Sequence, residues 1–269
     1  MCKRWRRILA KLGLFLAAVM LVRRQIIALP ILAAGLAGPA AAQQGYSAEV
    51  ERVLARAFEA SGGRGWHQLR GWREAGRRDG LPYETWIDPL RYGLRSEVRE
   101  PGGLRIQGFN GQAEWRISPA GVITAVNDRA TLARARTEAF FFAHLYYFAG
   151  RFDARGEHLG ARRQGQHAYD VVRIQPVGGD PRELWFDQRT RLLARIVDRT
   201  GPRPAALRVS DYRKTGPVQV PFRFTPETGG GSREREMVSF APLERERFSL
   251  DRPRELARVQ TARADAGAP

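Results

Sequence analysis

The sequence predicts a mainly β protein with a few helices, built around one antiparallel sheet. Apolar residues occupy every second position through most of residues 169–224, which is the period of strands with one buried face. The connections between these strands are about three to eight residues long, too short for the crossovers that parallel strands require. Two segments, 47–61 and 130–149, interrupt this pattern with helix-forming residues.

The strands within residues 169–224 predict a sheet with one apolar and one polar face. Arginines recur at alternate positions, and we expect them to point away from the core: Arg173, Arg195, Arg208 and Arg223. The inward face is expected to carry Val172, Ile174, Leu184, Phe186, Leu192, Ala194, Ile196, Val209, Val220 and Phe222.

Before this region the chain predicts one helix and several strands. The segment 47–61 has an apolar stripe at helical spacing, with Ser47 as the N-cap and Gly62-Gly63 as the C-terminal stop. Residues 66–126 resemble a series of strands, and Asn110-Gly111 is a strong signal for a hairpin turn.

The segment 130–149 predicts a second helix of unusual composition. It contains no proline, Gly150 follows it, and its second half is apolar on almost every side. A surface helix does not need so many aromatic residues, so this helix either is enclosed on two sides or lies across an apolar cavity. We expect it to meet the sheet through part of the set Phe141, Phe142, Leu145 and Tyr146, with Trp115 or Trp185 at the rim of a cleft.

The remaining segments carry weaker signals. Residues 151–168 predict a turn or a poorly paired strand, because they are rich in glycine and arginine. The polar, alanine-rich residues 257–269 predict a flexible, frayed tail. The expected organisation is a single domain over residues 43–256 between a leader and this tail.

Residues 1–42 have the pattern of a secretory signal peptide. Basic residues precede two short apolar runs, no acidic residue occurs, and three alanines stand before Gln43. Each apolar run is shorter than the roughly 20 residues that span a membrane. We expect cleavage after Ala42 and a periplasmic mature protein. Met20 is an alternative start, and both the general secretory and the twin-arginine route fit.

The high positive charge does not indicate nucleic-acid binding. The formal charge is +17, and seven of the 45 basic residues but none of the 28 acidic ones lie in the leader, which leaves +10. Nearly all cations are arginines interleaved with acidic residues, and no basic stripe carries stacking aromatics. The single cysteine, Cys2, lies in the leader, so the mature protein is expected to have no disulfide.

No catalytic or metal-binding motif stands out. The sequence has no HExxH, GxSxG or P-loop motif, no paired cysteines, and no DTG or DSG triplet of an aspartyl protease. The four histidines show no recognised ligand spacing. Asp187 precedes Gln188-Arg189-Thr190, where a turn-capping role is the ordinary explanation. We expect no enzyme activity, no cofactor and no metal.

Several motifs together resemble a known family. They are the helix that ends in SGG before Trp66, GFNGQAEW, the helix rich in Phe and Tyr, YDVVRIQPVGG, ELWFDQRTRLLAR and SDYRKTGPVQVPFRF. This set resembles the periplasmic LolA-like domain, related to lipoprotein carriers, that occurs N-terminal to bacterial retropepsin-like aspartyl proteases. The resemblance covers about residues 50–225. It implies a curved, unclosed antiparallel sheet (a half-barrel) with helices in its concave side, and it implies no protease activity without the protease domain.

The resemblance and the apolar faces predict a non-enzymatic periplasmic binding or carrier protein for a lipid, lipoprotein or other amphiphile. The expected partner is a lipid acyl chain or a lipoprotein. We expect a monomer and no nucleic-acid partner, and contact with a membrane surface stays open. The alternative is an accessory module of a periplasmic or outer-membrane hydrolase or protease system.

Overall fold

The computed structural model describes residues 45–125, 127–228 and 231–267. The predicted signal peptide, residues 1–42, lies outside the described residues. Within these ranges, one sheet contains fourteen strands: β1 (Gly45–Tyr46), β2 (Trp72–Arg78), β3 (Leu81–Ile87), β4 (Gly93–Glu100), β5 (Gly103–Asn110), β6 (Glu114–Ile117), β7 (Ile123–Thr124), β8 (Ala154–Gln164), β9 (His167–Pro176), β10 (Arg182–Asp187), β11 (Leu193–Asp198), β12 (Ala205–Thr215), β13 (Val218–Thr228) and β14 (Arg233–Ser239).

The sheet is open, with β1 and β7 at its two edges. Its order is β1-β8-β9-β10-β11-β12-β13-β14-β2-β3-β4-β5-β6-β7, so the pairing of β14 with β2 joins the later strands to the earlier ones. Neighbours are antiparallel except for the short parallel pair of β1 with β8. The predicted fold class, an unclosed antiparallel sheet with a few helices, is confirmed.

In the same described ranges, three α-helices accompany the sheet: α1 (Ala48–Ala60), α2 (Arg129–Phe142) and α3 (Arg252–Gly267). The predicted N-cap of α1 is confirmed, because Ser47 Oγ accepts a hydrogen bond from the Val50 amide at 3.4 Å. Helix α2 ends earlier than predicted. His144 adopts the left-handed conformation (φ 53°), which stops the helix, and a short 3-10 turn follows at Leu145–Tyr147.

The sheet is covered on both faces. Phe109 on β5 packs in the main core with α1 and α2. Leu104 and Ile106 on the same strand pack in a second core against α3, since alternate residues of a strand point to opposite faces. The described part of residues 257–269 therefore differs from the expected frayed tail, because it belongs to α3 and its Val259 and Ala262 are buried in the second core.

The weakly patterned segment 151–168 also differs from its prediction. Strand β8 pairs with β9 along eleven residues, from Ala154 to Gln164, with a bulge between His158 and Gly160. Gly160 has φ +82° at this bulge, a conformation that glycine adopts without strain. The bulge shifts the alternation in mid-strand, which hides the strand from a pattern of period two.

Candidate ligand-binding cavity

A cavity of about 130 Å3 lies between α2 and five neighbouring strands, β10 to β14. It is smaller than drug-sized small-molecule sites, which span roughly 300–1,000 Å3, so it encloses part of a ligand and not the whole of one. Residues four apart on α2 share the face that meets the sheet. The apolar lining is Phe141, Phe142, Tyr146, Leu184, Leu193, Ile196, Leu207 and Phe224; the polar lining is Thr137, Glu138, His144, Arg182, Arg233 and Arg235.

The cavity leaves apolar surface uncovered. Leu184 and Tyr146 are almost fully buried at its inner wall, with 0% and 1% of their surface exposed. Four other apolar lining residues are only partly buried: Phe141, Phe142, Ile196 and Leu207. Uncovered apolar side chains that face one cavity are the surface against which an alkyl chain gains free energy.

Most of the residues predicted for a cleft lie in or directly around this cavity. Five of them line it: Phe141, Phe142, Tyr146, Leu184 and Ile196. Seven pack in the surrounding main core, where their side chains are buried: Leu145, Val172, Ile174, Phe186, Val209, Val220 and Phe222.

Two predicted positions on β11 are displaced by a bulge. Trp185 pairs with Arg195 and Phe186 pairs with Leu193, so Ala194 has no counterpart on β10. The extra residue turns Leu193 inward, so Leu193 and Ile196 line the cavity in place of Leu192 and Ala194. The predicted inward positions of Leu192 and Ala194 are therefore wrong. Both residues line a separate, more polar cavity at the ends of β9 to β12.

The tryptophans predicted at the rim do not line the cavity. Trp115 lies on the opposite face of the sheet, in the second core, where its Nε1 donates to the Phe248 carbonyl at 3.0 Å. Trp185 packs against Tyr169 and under the guanidinium of Arg195. The alternation of apolar residues correctly places both tryptophans on strands. It does not identify which face of the sheet the helices α1 and α2 cover.

A buried ion cluster at one end of the cavity was missed by sequence reasoning. Glu74 on β2 is fully buried, and Arg235 Nε lies 2.7 Å from its Oε2. Arg233 Nη1 lies 3.6 Å from Glu74 Oε1. Burial opposes ionisation of Glu74, but the charges of Arg235 and Arg233 outweigh it and lower its pKa. In the sequence RERE, these arginines alternate with exposed glutamates and so resemble an ordinary polar strand.

Burial shifts the pKa values of two titratable groups on the α2 side of the cavity toward their neutral forms. Burial lowers the pKa of His144 to about 3, and the charges of Arg235 and Arg233 add to this shift. His144 Nδ1 lies 2.5 Å from the Tyr146 hydroxyl oxygen. Burial also raises the pKa of Glu138.

Neither metal binding nor a membrane-spanning helix is evident in the described part of the chain. Residues 45–125, 127–228 and 231–267 contain no cluster of three or more His, Cys, Asp or Glu side chains that could hold a metal ion. None of the helices found there combines the length and the apolar character needed to cross a bilayer.

Comparison with known proteins returns matches among solved structures. No family model and no curated protein matches the sequence. A putative outer membrane lipoprotein-sorting protein domain from Vibrio parahaemolyticus aligns at 13% identity over 77% of this chain and 99% of that chain, with a TM-score of 0.49. A LolA superfamily protein from Nitrosomonas europaea aligns at 14% identity over 75% and 98%, with a TM-score of 0.49.

A DUF1329 family protein from Desulfovibrio piger aligns at 13% identity over 76% of this chain and 98% of that chain, again with a TM-score of 0.49. None of the three is described as a retropepsin-like protease. The three structures share only 13–14% of their residues with this chain, so its ligand has to be inferred from the geometry of its own cavity. One of the three matching structures is described as a LolA superfamily protein.

Proposed function

We propose that this protein is a non-enzymatic binding or carrier protein that holds the acyl chain of a lipid, a lipoprotein or another amphiphile. The observation that carries the proposal is the cavity of about 130 Å3 between α2 and β10–β14, whose walls are mainly aliphatic and aromatic. A cavity of this composition favours an alkyl chain over a polar metabolite. Few of its lining groups can form hydrogen bonds, so a polar ligand would lose more hydrogen bonds to water than it gains.

Burial of an acyl chain supplies the free energy of binding. Each buried methylene contributes about 0.8 kcal/mol, so complete burial of a 14-carbon chain would gain roughly 10 kcal/mol before the entropy of ordering is subtracted. A cavity of about 130 Å3 encloses only part of such a chain and gains the corresponding part of this free energy. This gain needs no catalytic or other specific chemical group in the cavity, because it comes from removing apolar surface from water.

The polar groups of the cavity support binding rather than catalysis. A general base works best when its pKa lies near the ambient pH. His144, with its pKa lowered to about 3, is too weak a base for that role. Its neighbour Tyr146 is fully buried, and burial raises the pKa of its hydroxyl far above the ordinary value.

The proposed location is the periplasm. The basic, apolar and small-residue order of residues 1–42 supports export, with cleavage after Ala42. We further propose that the mature protein acts as a monomer, with a lipid acyl chain or a lipoprotein as its partner.

Isolation of the protein with its cargo tests the proposal. The mature chain, secreted into the periplasm and purified without detergent, should carry lipid that organic extraction releases and mass spectrometry identifies. A matched periplasmic protein purified in parallel controls for carry-over. Lipid-free protein that also fails to take up an added fatty acid would contradict the carrier function.

A further inference from the structure

The apolar cavity contains a cation that an acyl chain alone does not use. The central guanidinium carbon of Arg233 lies 4.1 Å from the ring centroids of both Phe142 and Phe224, so the group sits between two aromatic faces. Its Nη1 is buried and, within residues 45–125, 127–228 and 231–267, has no hydrogen-bond partner. Buried polar groups are normally paired, so this N–H lacks an acceptor.

The nearest carboxylate is already occupied. Glu74 Oε2 accepts from Trp72 Nε1 at 3.1 Å and lies 2.7 Å from Arg235 Nε. Glu74 Oε1 accepts from the Tyr83 hydroxyl at 3.1 Å. Arg233 Nη1 is 3.6 Å from that oxygen, which is too far for a hydrogen bond. One carboxylate therefore faces two guanidinium groups, and the pair leaves one positive charge in excess.

No other acid among the described residues forms an ion pair with Arg233. Glu138 lines the same cavity, but its burial raises its pKa, and none of the ion pairs found in the described ranges includes it. Arg235 Nη1 donates to the Pro221 carbonyl at 2.6 Å, whereas Arg235 Nε, like Arg233 Nη1, has no hydrogen-bond partner among the described residues. Burial lowers the pKa of Arg233 to about 9, so its guanidinium stays charged at neutral pH.

We propose that Arg233 binds the anionic head group of the ligand, a carboxylate or a phosphate, while the chain lies along Phe141, Leu193 and Leu207. The inference rests on the proposed function, since it places the head of the same amphiphile whose chain fills the cavity. An anionic oxygen would accept the unpaired N–H of Arg233 and neutralise the excess charge. Guanidinium groups suit carboxylate and phosphate geometry particularly well. The ligand class is therefore an acidic amphiphile.

Calorimetric titration of the mature protein with three ligands of one chain length tests this inference. Dodecanoate, dodecyl phosphate and dodecanol share the chain and differ in the head. We expect at least one of the two anions to bind about tenfold or more tightly than the alcohol, the gain of a charged hydrogen bond. Arg233→Gln should remove this preference, because it weakens binding of the anions much more than binding of dodecanol. Arg223→Gln, the same charge change at an exposed position paired with Glu234, should preserve it.

The outcomes separate the two proposals. If both anions bind more tightly than dodecanol, the cavity has a general anion site. If only one of them does, the head group of the ligand is a carboxylate or a phosphate accordingly. Equal binding of all three ligands to the unsubstituted protein would overturn the head-group inference and keep the acyl-chain function. Binding of none would overturn both. If Arg233→Gln fails to fold, the comparison of ligands on the unsubstituted protein decides alone.

Discussion

Arg95 on β4 and Glu255 on α3 form a two-point ion pair inside the second core. Arg95 Nη1 lies 2.9 Å from Glu255 Oε1, and Nη2 lies 2.6 Å from Oε2. Both side chains are buried, with 1% and 0% of their surface exposed. Arg258 on the same helix donates to both oxygens of Glu97, at 2.6 Å each. These pairs fix α3 on the face of the sheet opposite α2.

The buried pair predicts that Glu255→Ala lowers the free energy of unfolding by about 3 kcal/mol, the lower end of the range for a broken buried pair, because Arg95 keeps Glu97 as a second acid at 2.8 Å. Urea denaturation measures the change. The control is Arg52→Gln, which breaks an exposed ion pair with Glu49 and should cost less than about 1 kcal/mol. A loss below 1 kcal/mol for Glu255→Ala would mean that the pair does not hold α3.

His144 predicts that the stability of the protein falls as the pH drops below neutral. Its pKa of about 3 in the folded protein lies below the roughly 6.5 of the unfolded chain, so the unfolded state takes up a proton first as the pH falls. The free energy of unfolding should decrease below about pH 6.5, by up to about 1.4 kcal/mol per pH unit.

Urea denaturation at pH 7, 6 and 5 measures this slope. His144→Asn removes the titrating group and retains a residue that tolerates the left-handed conformation, so the slope should shrink. The control His67→Asn changes an exposed histidine. An unaltered slope in His144→Asn would contradict the assignment.

Asp187 predicts a structural and not a functional effect. Its Oδ1 accepts hydrogen bonds from the amides of Arg189 at 3.0 Å and Thr190 at 2.8 Å, which is the geometry of a capped turn. Asp187→Ala should cost about 1 kcal/mol of stability in thermal melts and leave fatty-acid binding unchanged. Lost binding with an unchanged melt would instead make Asp187 part of the site.

The sequence predicted the positions of strands and helices better than it predicted which face of the sheet each side chain occupies. Alternation and turn residues identified the strands within residues 169–224, and Ser47 identified the start of α1. A single bulge residue, Ala194, reversed the faces of its neighbours, and no local signal in the sequence reports such a bulge. Helix α3 was missed because its sequence is polar and rich in alanine. Its Glu255 is buried in an ion pair with Arg95, a residue 160 positions away that no local pattern connects with it.

The charged end of the cavity was also beyond local reasoning. Arg233 and Arg235 lie on a strand whose composition is that of a solvated edge. They are buried because β14 pairs with β2, which carries Glu74, and this pairing joins residues far apart in the chain. Long-range pairing of this kind leaves no trace in the periodicity of either strand.

The leader predicts processing at one position. The mature protein recovered from the periplasm should begin at Gln43, because the three preceding residues are alanines of the type that signal peptidase accepts. N-terminal sequencing gives the answer directly. A membrane-bound product that retains residues 1–42 would contradict export by cleavage.

The central claim is that the cavity between α2 and β10–β14 holds an acyl chain, and a bulky side chain inside it tests this most directly. Ile196 lines the cavity and is partly exposed to it, whereas Ala194 on the same strand lies outside it. The measurement is displacement of a fluorescent fatty acid, with thermal melts of each variant. Ile196→Trp should fold and lose binding at least tenfold, and Ala194→Trp should bind as the unsubstituted protein does. Full binding by a folded Ile196→Trp would contradict the account, as would severe unfolding of Ile196→Trp from overpacking in a protein that binds no fatty acid.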